Sequence, residues 1–353
     1  MYPRLFNEES IEYLVEMSVF GKVYIKDKKR RKEEFQFFMH DFIDICKKEG
    51  LCAKADIFPS YKWHVRAAVR EILWRLKILI NKLVNNTGTN KGGIIITANG
   101  GTIKDETFPY YFRYDIIPML WDVWPFSWER MYKAFKVLNV RIVFVSSRQV
   151  TNMINKESNV KAFWIPEGID ASHYQRGDRL RNRPFDVLEL GRQMGCYHLC
   201  LKEMLQKKMI NKLTTSNISQ EGTLDNKNVA FTNEELYEML PKHKIMICFP
   251  QCDTNPQRAG QIETLTQRYW EAMLSGCLML GRAPQELIDI IGYNPVINID
   301  WSSAETQMAS IIDNIDNYQD LVDKNYNSAK KHAPWEKRIP LIKQYLKEAG
   351  YYI

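Results

Sequence analysis

The chain has 353 residues, of which 45% are hydrophobic and 26% charged, and its formal net charge is +7. This composition excludes a disordered chain, a collagen-like fibre and a small disulfide scaffold, and at roughly 150 residues per domain the length predicts two domains. The charge is uneven, +9 over residues 1–165 and −2 over the rest. That asymmetry predicts a negatively charged partner for the first half, either a membrane surface or a phosphate-bearing acceptor. No run of about 18 apolar residues predicts a transmembrane helix. MYPRLFNEES lacks the basic-then-apolar order of a secretory signal. Seven scattered cysteines, Cys46, Cys52, Cys196, Cys200, Cys248, Cys252 and Cys277, fit reduced thiols in a cytosolic protein.

In chain order, helices are predicted near 8–19 and over 33–49, with the charge run KDKKRRKEE (26–34) between them. Residues 65–84 form a longer helix. Arg66, Arg70 and Lys77 fall near one of its faces, and Ile72, Leu73, Leu76, Leu79, Ile80 and Leu83 largely elsewhere. Such a helix packs on the sheet of the first half, which is the preferred reading. The alternative is that, with Trp74, it lies on an anionic membrane. GGIIITANGG holds a buried strand, Ile94–Thr97, ending at Gly100 and Gly101. Further strands are predicted in Tyr114–Trp121, Arg141–Ser146 and 161–166. The segment 164–184, rich in charge, Gly and Pro, reads as the boundary.

After it come strands at 185–191 and 228–231, a helix at 233–240 and a buried strand at 244–250 stopped by proline. A helix at 264–275 is stopped by Gly276, with strands at 277–281 and 295–299 beyond it. Two helices, 302–326 and 335–349, end the chain. Strands alternating with helices predict an α/β protein with largely parallel sheets. Ligand sites in such units lie beyond the carboxyl ends of the strands.

The richest segment is QIETLTQRYWEAMLSGCLMLGRAPQEL, 261–287. Seven residues separate Glu263 from Glu271, and Arg268 and Glu271, three apart, share one helix face. Thr264 and Thr266 lie at the helix start, where free backbone N–H groups favour an anion. A carboxylate suits the vicinal hydroxyls of a ribose or hexose, and a guanidinium suits a diphosphate. The same spacing also suits an ordinary solvated helix carrying an Arg–Glu pair.

The longer string T-x-R-x-x-E-A-x-x-S-G, followed by a strand and P-x-E-L, resembles the donor-binding region of group 1 glycosyltransferases of the GT-B fold, with their E-x7-E motif. WIPEGID (164–170), FDVLELGR (185–192) and FTNEELYEMLPKHKIMICFP (231–250) resemble further segments of that family in the same order. The resemblance implies two Rossmann-like domains facing each other across a crevice. Residues 1–168 would bind the acceptor and 169–334 a nucleotide-diphosphate sugar, with the last helix, 335–353, packing back on the first domain.

It further implies that Glu271 holds the ribose, that Arg268 and Arg192 face the diphosphate, and that Gly191 lets backbone approach it. Glu263 contacts the transferred sugar, and Phe231 and Thr232 flank the base. Where many relatives carry a lysine, Cys196 and Tyr197 stand here, so that role passes to Lys202 or to Arg268 alone. On the acceptor side, Asp122 is the candidate base or hydroxyl-binding residue. Trp121 and Trp124 either stack on a sugar face or belong to the core. Gly100 and Gly101 bring backbone near a ligand or form a tight strand exit.

The activity implied is metal-independent, retaining transfer of a hexosyl or related group to a glycan or lipid-linked acceptor. The setting implied is assembly of bacterial surface polysaccharide such as lipopolysaccharide, in the cytoplasm or peripherally on the inner face of the plasma membrane. No cofactor is expected beyond the nucleotide sugar as co-substrate. Cys196, His198 and Cys200 lack the paired spacing of a zinc site. A nucleotide-sugar epimerase of the same fold and a non-catalytic sugar- or nucleic-acid-binding protein are the competing readings. The absence of an aromatic–glycine RNA motif speaks against nucleic acid.

Overall fold

The computed structural model describes residues 38–51, 63–83, 93–108, 110–112, 114–191, 193–215 and 233–351. The expected helix near 8–19, the charge run 26–34 and the expected strand 228–231 lie outside the described residues, as do Arg192, Phe231 and Thr232. The chain divides into two compact units, one centred on Phe42–Ile165 with Ile339–Ile353, the other on Pro166–Arg338.

The first unit takes in α1 (Phe38–Lys48) from Phe42 onward, and α2 (Trp63–Leu83). A parallel sheet follows in the order β1 (Gly93–Asn99), β2 (Asp115–Trp121), β3 (Ile142–Val145), β4 (Lys161–Trp164). Its strands read as apolar runs because both faces are covered, and Ile94–Ile96 and Ile116–Ile117 are buried. Between them lie α3 (Ile103–Glu106), α4 (Trp128–Leu138) and α5 (Arg148–Glu157). Asn139 ends α4 in the left-handed conformation that a short polar side chain tolerates.

The sequence pattern leaves open which face of α2 turns inward. Arg70 turns inward onto Asp105 at 3.1 Å, Glu71 binds Lys104, and Trp74 is buried edge-on to Tyr111. Ile72, Leu76 and Leu79, one face at i, i+4 and i+7, are instead exposed. The basic residues find carboxylates and aromatic rings on α3 and its flanks, and part of the apolar stripe faces out.

The second unit is a five-stranded parallel sheet of β5 (Phe185–Glu189), β6 (Leu213–Thr215), β7 (His243–Cys248), β8 (Leu278–Gly281) and β9 (Val296–Asn298), in the order β6-β5-β7-β8-β9. Chain order reverses between β5 and β7, which makes that edge the topological switch point. Alternation along the strands feeds two cores. Leu188, Met246 and Met279 pack with Tyr269 and Trp270 on one face, and Val187, Ile245 and Leu278 pack with Tyr197, Leu201 and Met204 on the other.

The helices between the strands are α6 (Gly195–Gln206), α7 (Asn233–Met239), α8 (Gln251–Thr254), α9 (Pro256–Ala259), α10 (Gln267–Leu274), α11 (Gln285–Ile291), α12 (Ala304–Asp313) and α13 (Gln319–His332). The helix expected over 302–326 is broken into α12 and α13. Asn314 bonds back to the Ser310 carbonyl, and a 3-10 turn at Ile315–Tyr318 buries Ile315. The last helix, α14 (Ile339–Glu348), belongs to the first unit, where Tyr345 stacks on Phe163 with centroids 4.0 Å apart.

His243 is wholly buried at the start of β7. Its Nδ1–H donates to the Met239 carbonyl at 2.9 Å and its Nε2 accepts from the Thr214 hydroxyl at 2.8 Å. Burial holds its pKa down to about 4. The unfolded chain therefore takes up a proton near pH 6.5 that the folded one refuses, and stability falls as pH drops through that window. The loss expected by pH 4 is roughly 3 kcal/mol. Urea unfolding of the wild type and of His243→Gln at pH 7 and pH 4 should differ by about that increment, and parallel curves for the two proteins would refute it.

Candidate functional site

The carboxyl ends of β5 and β7 carry the arrangement of interest. Immediately beyond β5, Gly191 takes φ +66, and a β-carbon there would lie 2.2 Å from Nη2 of Arg268. Only glycine meets both demands, so the Arg268 guanidinium lies directly on this turn. Among the described residues Arg268 forms no salt bridge and no hydrogen bond. Its side chain leaves α10, a helix that buries Tyr269, Trp270, Ala272 and Met273.

One turn further on, Glu271 is only 3% exposed. Burial raises its carboxyl pKa, and the Arg268 charge and a hydrogen bond from the Tyr174 hydroxyl, 3.3 Å from Oε1, oppose that rise. Arg268, Glu271 and Gly191 are thus brought together, and Tyr174, distant in sequence, joins them.

The start of α10 is not a vacant anion site, contrary to expectation. The Gln267 N–H donates to the Glu167 carboxylate at 3.2 Å, and the Leu265 N–H to Glu286 at 3.1 Å. Protein carboxylates have taken the place an anion would occupy. Thr266 is the N-cap residue but makes no side-chain cap, and Thr264 is buried.

Glu263 also departs from the role of a free sugar contact. Its Oε1 binds Arg282 and its Oε2 accepts from the Gln285 N–H at 2.7 Å. Arg282 also grips Asp253 through Nε at 2.6 Å and Nη2 at 2.8 Å. These carboxylates hold its pKa well above the usual arginine value. Glu263 therefore orients Arg282, which is 40% exposed.

Lys202 is exposed on α6, about 10 Å along the helix from its first residue, and is not brought to the Gly191 turn. Nearer that turn, His198 in the first turns of α6 pairs through Nδ1 with Glu189 of β5 at 2.5 Å. Among the described residues no group of three or more His, Cys, Asp or Glu is placed to hold a metal ion.

In the first unit, Asp122 stands exposed at the carboxyl end of β2 with φ +48, a conformation unusual for a side-chain-bearing residue. Gly100 lies close against Ser127, where a β-carbon would be 2.5 Å from Oγ, and the Gly101 N–H donates to Asn99 Oδ1 at 3.0 Å. The stacking reading of Trp121 and Trp124 is corrected. Both are 1% exposed, and Trp121 packs edge-on to Phe42, so neither face can meet a sugar. The aromatic ring that this loop offers to solvent is Phe126, 66% exposed.

Arg282, Tyr174 and Phe126 escaped the sequence reading. Arg282 followed the quoted motif as an unremarked Gly-Arg, and nothing local links Tyr174 to Glu271.

No protein-family model matches the chain, and no curated protein matches it. Among solved structures it is similar to TarM, with a TM-score of 0.50 at 12% identity over 77% of this chain and 57% of that chain. It spans little more than half of TarM. Anabaena Alr3699/HepE in complex with UDP aligns with TM-score 0.49 at 10% identity, over 73% of this chain and 79% of that one. Sucrose-phosphate synthase from Thermosynechococcus elongatus aligns with TM-score 0.47 at 12% identity, over 72% and 73%. The likeness to TarM is one of fold. The chain has an α/β fold of the GT-B type, built from two Rossmann-like units.

Gly191→Ala should push the guanidinium off the turn. Isothermal titration with nucleoside diphosphates is expected to show at least a tenfold loss of affinity. The stability cost should be only about 1–2 kcal/mol, that of one left-handed alanine. Unchanged affinity would separate the turn from the site.

Proposed function

We propose that the chain is a glycosyltransferase that moves a sugar from a nucleotide-diphosphate sugar to a hydroxyl of a glycan or lipid-linked acceptor. One observation carries this reading: a half-buried guanidinium, Arg268, seated on the bare backbone of Gly191 at the switch point and without an ion pair among the described residues. A cation so placed is completed by an anion, and a diphosphate fits the fork of an arginine beside a turn that carries no side chain. Three residues on, Glu271 offers a buried acceptor to ribose hydroxyls. The resemblance of 261–287 to the donor region of group 1 glycosyltransferases supports the same assignment, as does the GT-B fold.

In this reading Arg268, with Arg192 beside Gly191, stabilises charge on the departing diphosphate. Phe231 and Thr232 flank the base on the motif alone, and the lysine's role at the diphosphate falls to Arg268, since Lys202 is not brought to the Gly191 turn. Thr264 and Thr266 shape the loop ahead of α10. Glu263 acts at the sugar end by holding Arg282. The acceptor hydroxyl attacks the anomeric carbon, the bond from that carbon to the diphosphate oxygen breaks, and the hydroxyl proton passes to Asp122 or to a leaving-group phosphate oxygen. Gly100 and Gly101 form the acceptor-side turn. Retention of anomeric configuration, independence of metal, a role in bacterial surface polysaccharide and a cytoplasmic location belong to the same proposal.

The first half adds a partner. No described helix is long and apolar enough to cross a membrane. Ile72, Leu76 and Leu79 on α2, in the half of the chain that carries +9, support contact with an anionic membrane surface, where a lipid-linked acceptor resides.

Two measurements test this. Arg268→Ala should weaken binding of nucleoside diphosphates roughly 10- to 100-fold while leaving stability within about 0.5 kcal/mol. Full affinity in the variant, or no turnover of any nucleotide sugar by the wild type with acceptors supplied, defeats the assignment. Flotation with anionic liposomes should be strong at low salt, decline at about 0.5 M salt and weaken in Ile72→Ser/Leu76→Ser. Absence of flotation at low salt removes the membrane partner.

A further inference from the structure

Tyr174 follows the short turn Ala171–His173, which Asp170 caps by accepting from the Ser172 N–H. Its ring is fixed from the side. Tyr237 of α7 packs edge-on against it with centroids 5.0 Å apart, and Tyr237 in turn stacks on His173 at 5.2 Å and 4°. The hydroxyl of this held ring donates to Oε1 of Glu271 at 3.3 Å, across 97 positions of sequence. Burial and the neighbouring carboxylate push the phenol pKa well above 10, so the group remains a donor.

Glu271 is short of partners for so buried a carboxylate. Ionised, it has about four acceptor positions. Oxygen-to-oxygen bonds onto carboxylates ordinarily run near 2.5–2.7 Å. Among the described residues it receives one long hydrogen bond, and Oε2 receives none. Arg268, one turn away, supplies charge without a hydrogen bond. With Oε1 held by a ring that packs edge-on against Tyr237, the carboxylate has a preferred plane, and Oε2 is the oxygen left for a ligand donor.

We infer that Tyr174 is a specificity-determining residue: by fixing the Glu271 carboxylate through Oε1, it makes Oε2 select for a sugar hydroxyl on the nucleotide. This rests on the donor-site reading above and deepens it, because that reading gives Tyr174 no part. Tyr174 acts through Glu271 and touches no reacting atom, so it is a positioning residue. Without its hydroxyl the carboxylate is free to rotate, and being buried with no donor it takes up a proton more readily. In either condition it reads a hydroxyl poorly.

The test uses the full chain and isothermal titration. UDP, GDP, ADP and CDP are compared, and the tightest is then measured beside its 2′-deoxy and 3′-deoxy forms. The wild type should prefer the ribonucleotide over one or both deoxy forms by at least tenfold. Tyr174→Phe, which keeps the ring and its packing, should weaken the ribonucleotide about tenfold and leave the discriminated deoxy form unchanged, so that the preference collapses. The deoxy affinity reports whether the variant is folded. Equal losses for both forms mean a merely structural tyrosine and overturn the inference, as does an unchanged ratio. A wild type that binds nucleotides without hydroxyl preference overturns this inference alone. A wild type that binds none of the four overturns the donor-site reading and this inference with it.

Discussion

The guanidinium of Arg268 lies against a backbone that carries no side chain, and much of the second unit is arranged to keep that contact open. It requires a left-handed glycine just beyond β5 and a helix of fixed height to deliver the arginine. The height of α10 is set by its anchors. Trp270 is buried and donates to the Glu167 carbonyl at 3.0 Å, the Gln267 side chain donates to the Gly168 carbonyl at 2.8 Å, and the Glu167 carboxylate holds the helix start. Glu167 and Gly168 are themselves tied to the chain's exit from the unit. Ile169 pairs with Pro334, and the buried Arg338 donates to the carbonyls of Pro166 and Glu167. The helix that delivers Arg268 is therefore fastened to the segments by which the chain enters and leaves the second unit.

Two buried charges elsewhere in that unit have their partners. Arg183 gives its fork to the carbonyls of Asp178, His243 and Ser275, and burial draws its pKa down. Asp186 takes the Lys244 ammonium at 2.7 Å on one oxygen and the Asn211 N–H at 2.7 Å on the other. These follow the rule that a desolvated charge is retained only with its hydrogen bonds made. Against that background Arg268 and Glu271 stand out. Glu271 is buried with one long hydrogen bond, and Arg268 is half-buried with no side-chain partner among the described residues, which is the condition of groups that wait for a ligand.

What could be read in advance follows from how local each cause was. The parallel strands were legible as apolar runs because burial on both faces leaves no alternation to misread, as in Ile94–Ile96 and Ile245–Ile247. The edge strand Leu213–Thr215, three half-buried residues long, carried no such run. Helix α6 mixes Cys, His and Tyr near its start and has no side-chain cap. The facing of α2 was not legible because periodicity reports that a helix has faces, not which face meets partners. Asp105 and Lys104, which decide it, lie some thirty residues on. Trp121 and Trp124 beside an exposed aspartate looked like a stacking platform, yet large aromatic rings at strand ends serve the core equally well. Of the site, the Arg268–Glu271 spacing was visible because it spans one helical turn. The Glu263–Arg282 and Tyr174–Glu271 contacts were not, because they join separate elements.

The two glutamates of the motif show how little a residue type says without its surroundings. Glu263 is largely covered, meets a guanidinium and a backbone N–H, and has both oxygens committed. Its chemistry is spent inside the protein, and its effect on anything outside passes through Arg282. Glu271 is more deeply buried, yet it meets one phenol at long range and a cation it does not touch. Burial alone would make it the more inert of the two. Its lack of partners reverses that order, since an under-bonded carboxylate in a low-dielectric site gains more from each added donor than an exposed one does. The sequence pattern presents them as a symmetric pair. The fold makes one a structural clasp and leaves the other as the acceptor around which a ligand's hydroxyls can be sorted.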